Sequence, residues 1–221
     1  MTDTRNAAPF ARRFAFGRVL PASFYARDTA LVARELLGTV LVNDSSDGRA
    51  SGMIVETEAY VGEHDGACHA AAGLTNRTAP LYGAPGSAYV YLIYGLHWCL
   101  NAVTQPVGVP GAVLLRALEP LEGIDVMLNR RGAARLTPNL TNGPGKLCAA
   151  MAIDRNQNST SLVSGSVRIH RGHVFDDDQV VVTPRIGIRK AADWPLRYFV
   201  RDNAWVSRTP AAFPARRYSE L

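Results

Sequence analysis

Lysine is almost missing from this sequence. Of 24 basic residues only Lys146 and Lys190 are lysines. A chain so poor in primary amines has few side chains able to attack carbon and form a Schiff base. Cysteine is scarce too. Cys68, Cys99 and Cys148 are odd in number and widely spaced, which argues against a disulfide framework and fits reduced thiols in a cytosol. No run reaches the ~18 to 20 apolar residues of a membrane helix. The nearest, residues 88–103, is broken by His97 and Asn101 and reads as two strands. The opening MTDTRNAAPFARRF has an early acid and no apolar stretch, so no secretory signal is expected. Internal repeats and low-complexity tracts are lacking.

What is present is an ordinary globular composition. With 47% hydrophobic and 19% charged residues over 221 positions, the chain can bury a core, which excludes wholesale disorder. The net charge of +5 is unevenly placed: residues 1–27 carry +4, residues 185–221 carry +5, and the middle carries −4. Basic ends around an acidic centre suit a polyanion, nucleic acid first; solvated chain ends are the plainer alternative.

Turn and cap signals divide the chain. The first ~20 residues read as a flexible arm. Asp28 caps a helix ending before Gly38. Strands are expected at 39–42 and 50–60, then loop to Gly86, then strands on either side of Gly95 and a fifth at 111–118. Residues 119–131 look helical, and NGPGKLCAAMAI reads as a glycine-rich loop entering a short helix. Short strands are expected at 167–169, 180–182, 185–188 and 197–200. Few helices between many strands point to an α+β domain around a curved, mainly antiparallel sheet.

Three segments carry chemistry. In IVETEAYVGEHDGACHA, residues 54–70, the strand period of two puts Ile54, Glu56, Glu58 and Tyr60 on one face. That face runs into His64, Asp65 and His69, and can hold a water for general base work, a metal or a cationic group. A solvated edge strand is the plain alternative, and a paired-carboxylate glycoside hydrolase a further one. In AYVYLIYGLHWCLN, residues 88–101, Tyr89 and Tyr91 offer aromatic faces. Tyr94 falls at a turn, placed to wedge between stacked bases, and His97, Cys99 and Asn101 share a face beyond it. NGPGKLC resembles a phosphate cradle beside Lys146, though Leu147 stands where a P-loop needs Ser or Thr.

Together IVETEAYVGEHDGACH, YVYLIYGLHWCLN, VLLRALEPLEG, NGPGKLC and RYFVRDNAWVS resemble the alkyladenine (3-methyladenine) DNA glycosylase family, in order and over residues 20–208. The resemblance implies a compact glycosylase domain at 21–208, after an arm at 1–20 and before a basic tail at 209–221. It implies a monofunctional base excision repair enzyme that flips alkylated purines out of double-stranded DNA and hydrolyses their N-glycosidic bond. Deaminated and etheno purines are further candidates. By motif position Glu58, not Glu56, is the general base, and Arg116 partners the catalytic water. Tyr60, His69 and Tyr91 wall the base pocket, Tyr94 enters the duplex, and Asn101 crowds out 2-amino purines. Arg77 and Lys146 are phosphate contacts. His97 stands where some members have Tyr. No metal or cofactor is expected; a monomer without membrane contact, cytoplasmic and nucleoid-associated in a bacterium, is. A non-catalytic nucleic-acid module is the rival, but it gives no reason for carboxylates facing phosphate.

Overall fold

The computed structural model describes residues 17–211 and 213–220. Most of the expected arm, residues 1–16, therefore lies outside the described residues. Among the described residues the first helices are α1 (Ala22–Tyr25) and α2 (Thr29–Glu35). Asp28 caps α2 as expected, its Oδ1 accepting from Ala30 N at 2.9 Å and Leu31 N at 3.0 Å.

Strands β1 (Val40–Ser45) and β2 (Gly48–Tyr60) form a tight hairpin. A long loop leads to β3 (Ala88–Ile93), β4 (His97–Val103) and β5 (Ala112–Glu122). Helices α3 (Ile124–Arg131) and α4 (Pro144–Ala150) follow, then short strands β6 (Val167–His170), β7 (Val180–Thr183), β8 (Arg197–Val200) and β9 (Arg216–Arg217). All join one antiparallel sheet ordered β3-β4-β5-β2-β8-β7-β9, with β1 between β2 and β6. This is the α+β architecture expected. Among the described residues, no helix is long and apolar enough to cross a membrane.

β2 is the spine. β5 runs along one side of it, while β1 and then β8 pair along the other. The edge-strand alternative for residues 54–60 is thus overturned: β2 is central, and Glu56 and Glu58 are buried. The β2–β5 ladder shifts register at Val55 and again at Arg116. A bulge inserts one residue and turns the following side chains to the other face. Ile54 therefore packs with Val55 and Ala59 in the main core, beneath α2, α3 and α4. It does not share the face of Glu56, Glu58 and Tyr60, as strict alternation had it.

Two other expectations change. Residues 119–122 continue β5, pairing with residues 51–53 of β2, so the helix starts only at Ile124. Residues 185–188 are loop, because Arg185 turns in to bond Asp65 and Gly187 has φ +79. On the far side of the sheet a smaller cluster of Cys68, Ala70, Leu81, Tyr89, Val103 and Ala112 seats the loop at 62–86.

Candidate active site

The β2–β5–β4–β3 face, the loop at 62–86 and the loop at 184–188 enclose a cavity of about 680 Å³. Glu58 is fully buried just behind the wall, bonded to three residues that line the cavity, Tyr60, Arg116 and Ile186. Its Oε1 accepts the Ile186 backbone N–H at 2.7 Å. Its Oε2 accepts the Tyr60 hydroxyl at 2.9 Å and meets Arg116 Nη1 at 3.2 Å. Together these bonds fix the orientation of the carboxylate. Tyr60 is a firm donor here, since burial and then the Glu58 charge push its phenol well above its ordinary range.

Glu56, two residues earlier, is saturated. Arg116 Nε, Arg197 Nε and Ser207 Oγ donate to its Oε1 at 2.9, 2.7 and 2.7 Å, and Ser207 N donates to Oε2 at 2.8 Å. Burial works to raise its pKa, but the two guanidiniums and Ser207 outweigh it and hold the carboxyl below its ordinary value. The cationic group that two glutamates on this face could hold is internal: it is Arg116. A paired-carboxylate hydrolase needs a second free carboxylate, and Glu56 has none to offer.

Aromatic rings wall the cavity. His69 and Tyr91 meet edge to face at 4.5 Å between centroids, and Tyr89 lies 5.4 Å from Tyr91. His69 Nδ1 and the Tyr89 hydroxyl are 2.8 Å apart. Burial, with the Arg77 charge adding to it, lowers the His69 pKa, so its imidazole is neutral at neutral pH. Asn101 pairs across the ladder with Tyr89 and donates Nδ2 to its carbonyl at 3.0 Å, which holds the amide at the cavity wall. Behind Tyr60 the Arg185 guanidinium stacks 4.7 Å from the ring centroid.

Tyr94 stands at the mouth, 82% exposed, with the left-handed backbone φ +54 that a non-glycine residue rarely adopts. An exposed aromatic on a strained hairpin tip contributes nothing to the core. Leu96 beside it is exposed as well. Arg77 and Lys146 both line the cavity rim; Lys146 Nζ donates to Asn142 Oδ1 at 2.9 Å.

The structure thus brings Tyr60, His69, Tyr91, Asn101 and Arg116 around one cavity, with Glu58 bonded behind Tyr60 and Arg116 and with Tyr94, Arg77 and Lys146 also lining it. It does not gather His64, Asp65 and His69: among the described residues no three such side chains could hold a metal. Asp65 instead forms a buried ion pair with Arg185, and His64 leans on Trp194. Four contributors had no role assigned from the sequence: the Ile186 N–H, Arg197, Ser207 and the Asp65–Arg185 pair. Arg197 and Ser207 lie within RYFVRDNAWVS, and that motif was their only signal.

Comparison with known proteins supplies the family. The pattern of the family described as methylpurine-DNA glycosylase matches residues 23–204. A Myxococcus xanthus protein is 47% identical over 90% of this chain and 97% of its own length. One from Legionella pneumophila (strain Lens) is 44% identical over 87% of this chain and all of its own, and one from Methanocella arvoryzae 46% over 86% and 96%. All three are named for 3-methyladenine DNA glycosylase. The class is therefore that of the DNA glycosylases, hydrolases that cleave N-glycosyl bonds. Within it, the chain belongs to the methylpurine-DNA glycosylase family.

Proposed function

We propose that this enzyme removes alkylated purines, 3-methyladenine foremost, from double-stranded DNA, using a water activated by Glu58. The observation that carries the reading is a buried carboxylate bonded by Tyr60, Ile186 N and Arg116, three residues that line an aromatic cavity whose mouth holds an exposed tyrosine. Tyr94 enters the stack as the damaged nucleotide swings out, and the purine comes to rest against Tyr60, Tyr91 and His69.

A purine alkylated at N3 or N7 is a cation. The tyrosine faces favour it over a normal base by ~1 kcal/mol or more. Neutral His69 does not repel it. The oxygen of the water bonds to C1′ of the sugar, and the bond from C1′ to the purine nitrogen breaks. Its electron pair neutralises the departing base, and Glu58 takes the water proton. The ionised Glu58 also stabilises the positive charge that develops on the sugar. The product is an abasic site in an intact strand, the substrate for the later steps of base excision repair. Deaminated and etheno purines are neutral and leave less readily, so their release is expected to be slower. Arg77 and Lys146 hold flanking phosphates. The enzyme acts as a monomer on DNA in the cytoplasm.

The test is incubation with methylated duplex DNA, followed by chromatography of the released bases. Free 3-methyladenine and 7-methylguanine, with no strand scission, support the reading. Release of no base overturns it.

A further inference from the structure

Arg116 is shared between two carboxylates. Its Nε donates to Glu56 at 2.9 Å while its Nη1 lies 3.2 Å from Glu58. Glu56 is in turn gripped by Arg197 and Ser207. Arg197 Nη1 reaches Thr183 Oγ1 at 3.0 Å and Thr209 Oγ1 at 3.1 Å, and its Nη2 reaches the Ser207 carbonyl at 3.3 Å. Charge alternates along the row Glu58, Arg116, Glu56, Arg197, and no member is more than 7% exposed. The proposed reaction gives Glu56 nothing to do.

A general base must keep enough basicity to take a proton. Glu58 already accepts from Tyr60 and Ile186 N, and an undivided guanidinium would draw its remaining lone pairs into a tight ion pair, away from a water. We propose that Glu56 is a positioning residue that divides the hold of Arg116, so that Arg116 orients Glu58 without closing on it as a tight ion pair. Arg197 and Ser207 set how strongly Glu56 pulls. The inference rests on Glu58 being the base, and it ties the chain segment at 207–209 to the reacting centre.

The test is the pH profile of single-turnover 7-methylguanine release from duplex DNA under saturating enzyme. The other titratable and charged groups around Glu58 and Arg116 are Tyr60 on β2, Tyr91 on β3, Cys99 on β4 and Arg185 before Ile186. Burial pushes Tyr60, Tyr91 and Cys99 up, so none of them ionises across the acid limb. His69, packed on Tyr91, titrates below its ordinary value and is common to every variant. Differences between variants therefore report the Arg116 row.

Glu56→Gln leaves Arg116 to Glu58 alone. The acid limb should move to lower pH by about half a unit or more, and the plateau rate should fall about tenfold, with DNA binding unchanged. Ser207→Ala removes one donor from Glu56, which then pulls Arg116 harder. Its limb should move the opposite way, by a few tenths of a unit. Limbs that coincide with wild type, or move in the same direction, overturn the inference. Should Glu56→Gln not fold, Ser207→Ala decides alone: a limb at or below the wild-type position overturns it. An inactive wild-type enzyme would instead refute the proposed function, so the two failures are distinct.

Discussion

The backbone N–H of Ile186 donates to Glu58 at 2.7 Å, across 128 positions of sequence. A hydrogen bond from the main chain does not depend on the identity of the side chain at 186. It depends on the loop being held in place, and the residue just before Ile186 does that. Arg185 is buried, paired with both oxygens of Asp65, and bonds the Ala59 carbonyl at 2.9 Å.

Asp65→Asn should therefore cost both stability and rate. Leaving Arg185 buried without its counter-charge costs ~3–5 kcal/mol. Urea unfolding at pH 7 measures this, and a loss below ~1 kcal/mol would show that the pair is dispensable.

Acid should expose the same pair. Burial tends to raise the Asp65 carboxyl, but the bond from Arg185, with the Ala67 and Val61 N–H groups, holds it below its ordinary value. Glu56 is likewise held low against its burial, by Arg116, Arg197 and Ser207. A group with a depressed native pKa stabilises the fold above its unfolded value, ~4 for a carboxylate, and that stability drains away as pH falls toward the native value. The urea midpoint should stay level down to about pH 5 and then fall. Asp65→Asn should fall less steeply there. Parallel wild-type and variant curves would contradict the assignment.

How much of this was legible in the sequence follows from the range of each interaction. Alternation along β2 placed Glu56, Glu58 and Tyr60 together because that stretch keeps period two. It misplaced Ile54 because the bulge at Val55 is imposed by pairing with β5, some sixty residues away. Residues 185–188 alternate branched apolar side chains and so read as a strand, yet Asp65 captures Arg185 and the positive φ of Gly187 turns the chain. Residues 119–122 read as the start of a helix but continue β5, with Pro120 opposite Gly52. The Tyr94 tip was visible because a tyrosine beside a glycine at a turn has no core to enter. The grip of Arg197 and Ser207 on Glu56 arises only when β8 docks on β2, so no local pattern announces it.

Tyr94→Ala should weaken base release from duplex DNA more than from a single strand. A wedge is needed only where a stacked partner must be replaced, and its loss should cost a few kcal/mol of duplex flipping. Equal losses on both substrates would remove the wedge role.

Asn101→Gly should admit purines bearing a 2-amino group and raise release of unmodified guanine, since the amide held on the Tyr89 carbonyl would be gone from the cavity wall. Chromatography of bases freed from undamaged DNA measures it. Guanine release equal to wild type would take the steric gate out of the account.

The central claim is that Glu58 activates the attacking water. Neither lysine stands among the residues lining the Glu58 bonds, and a lyase would need an amine there. Glu58→Gln keeps the size of the side chain and the capacity to accept hydrogen bonds while removing the base. Single-turnover excision from a duplex with one alkylated purine, read beside the dissociation constant of the same DNA, tests this directly. The account predicts near-native binding with release slowed about 10²–10⁴-fold. A variant still excising at close to the wild-type rate, or a borohydride-trapped covalent complex with the wild-type enzyme, would contradict it.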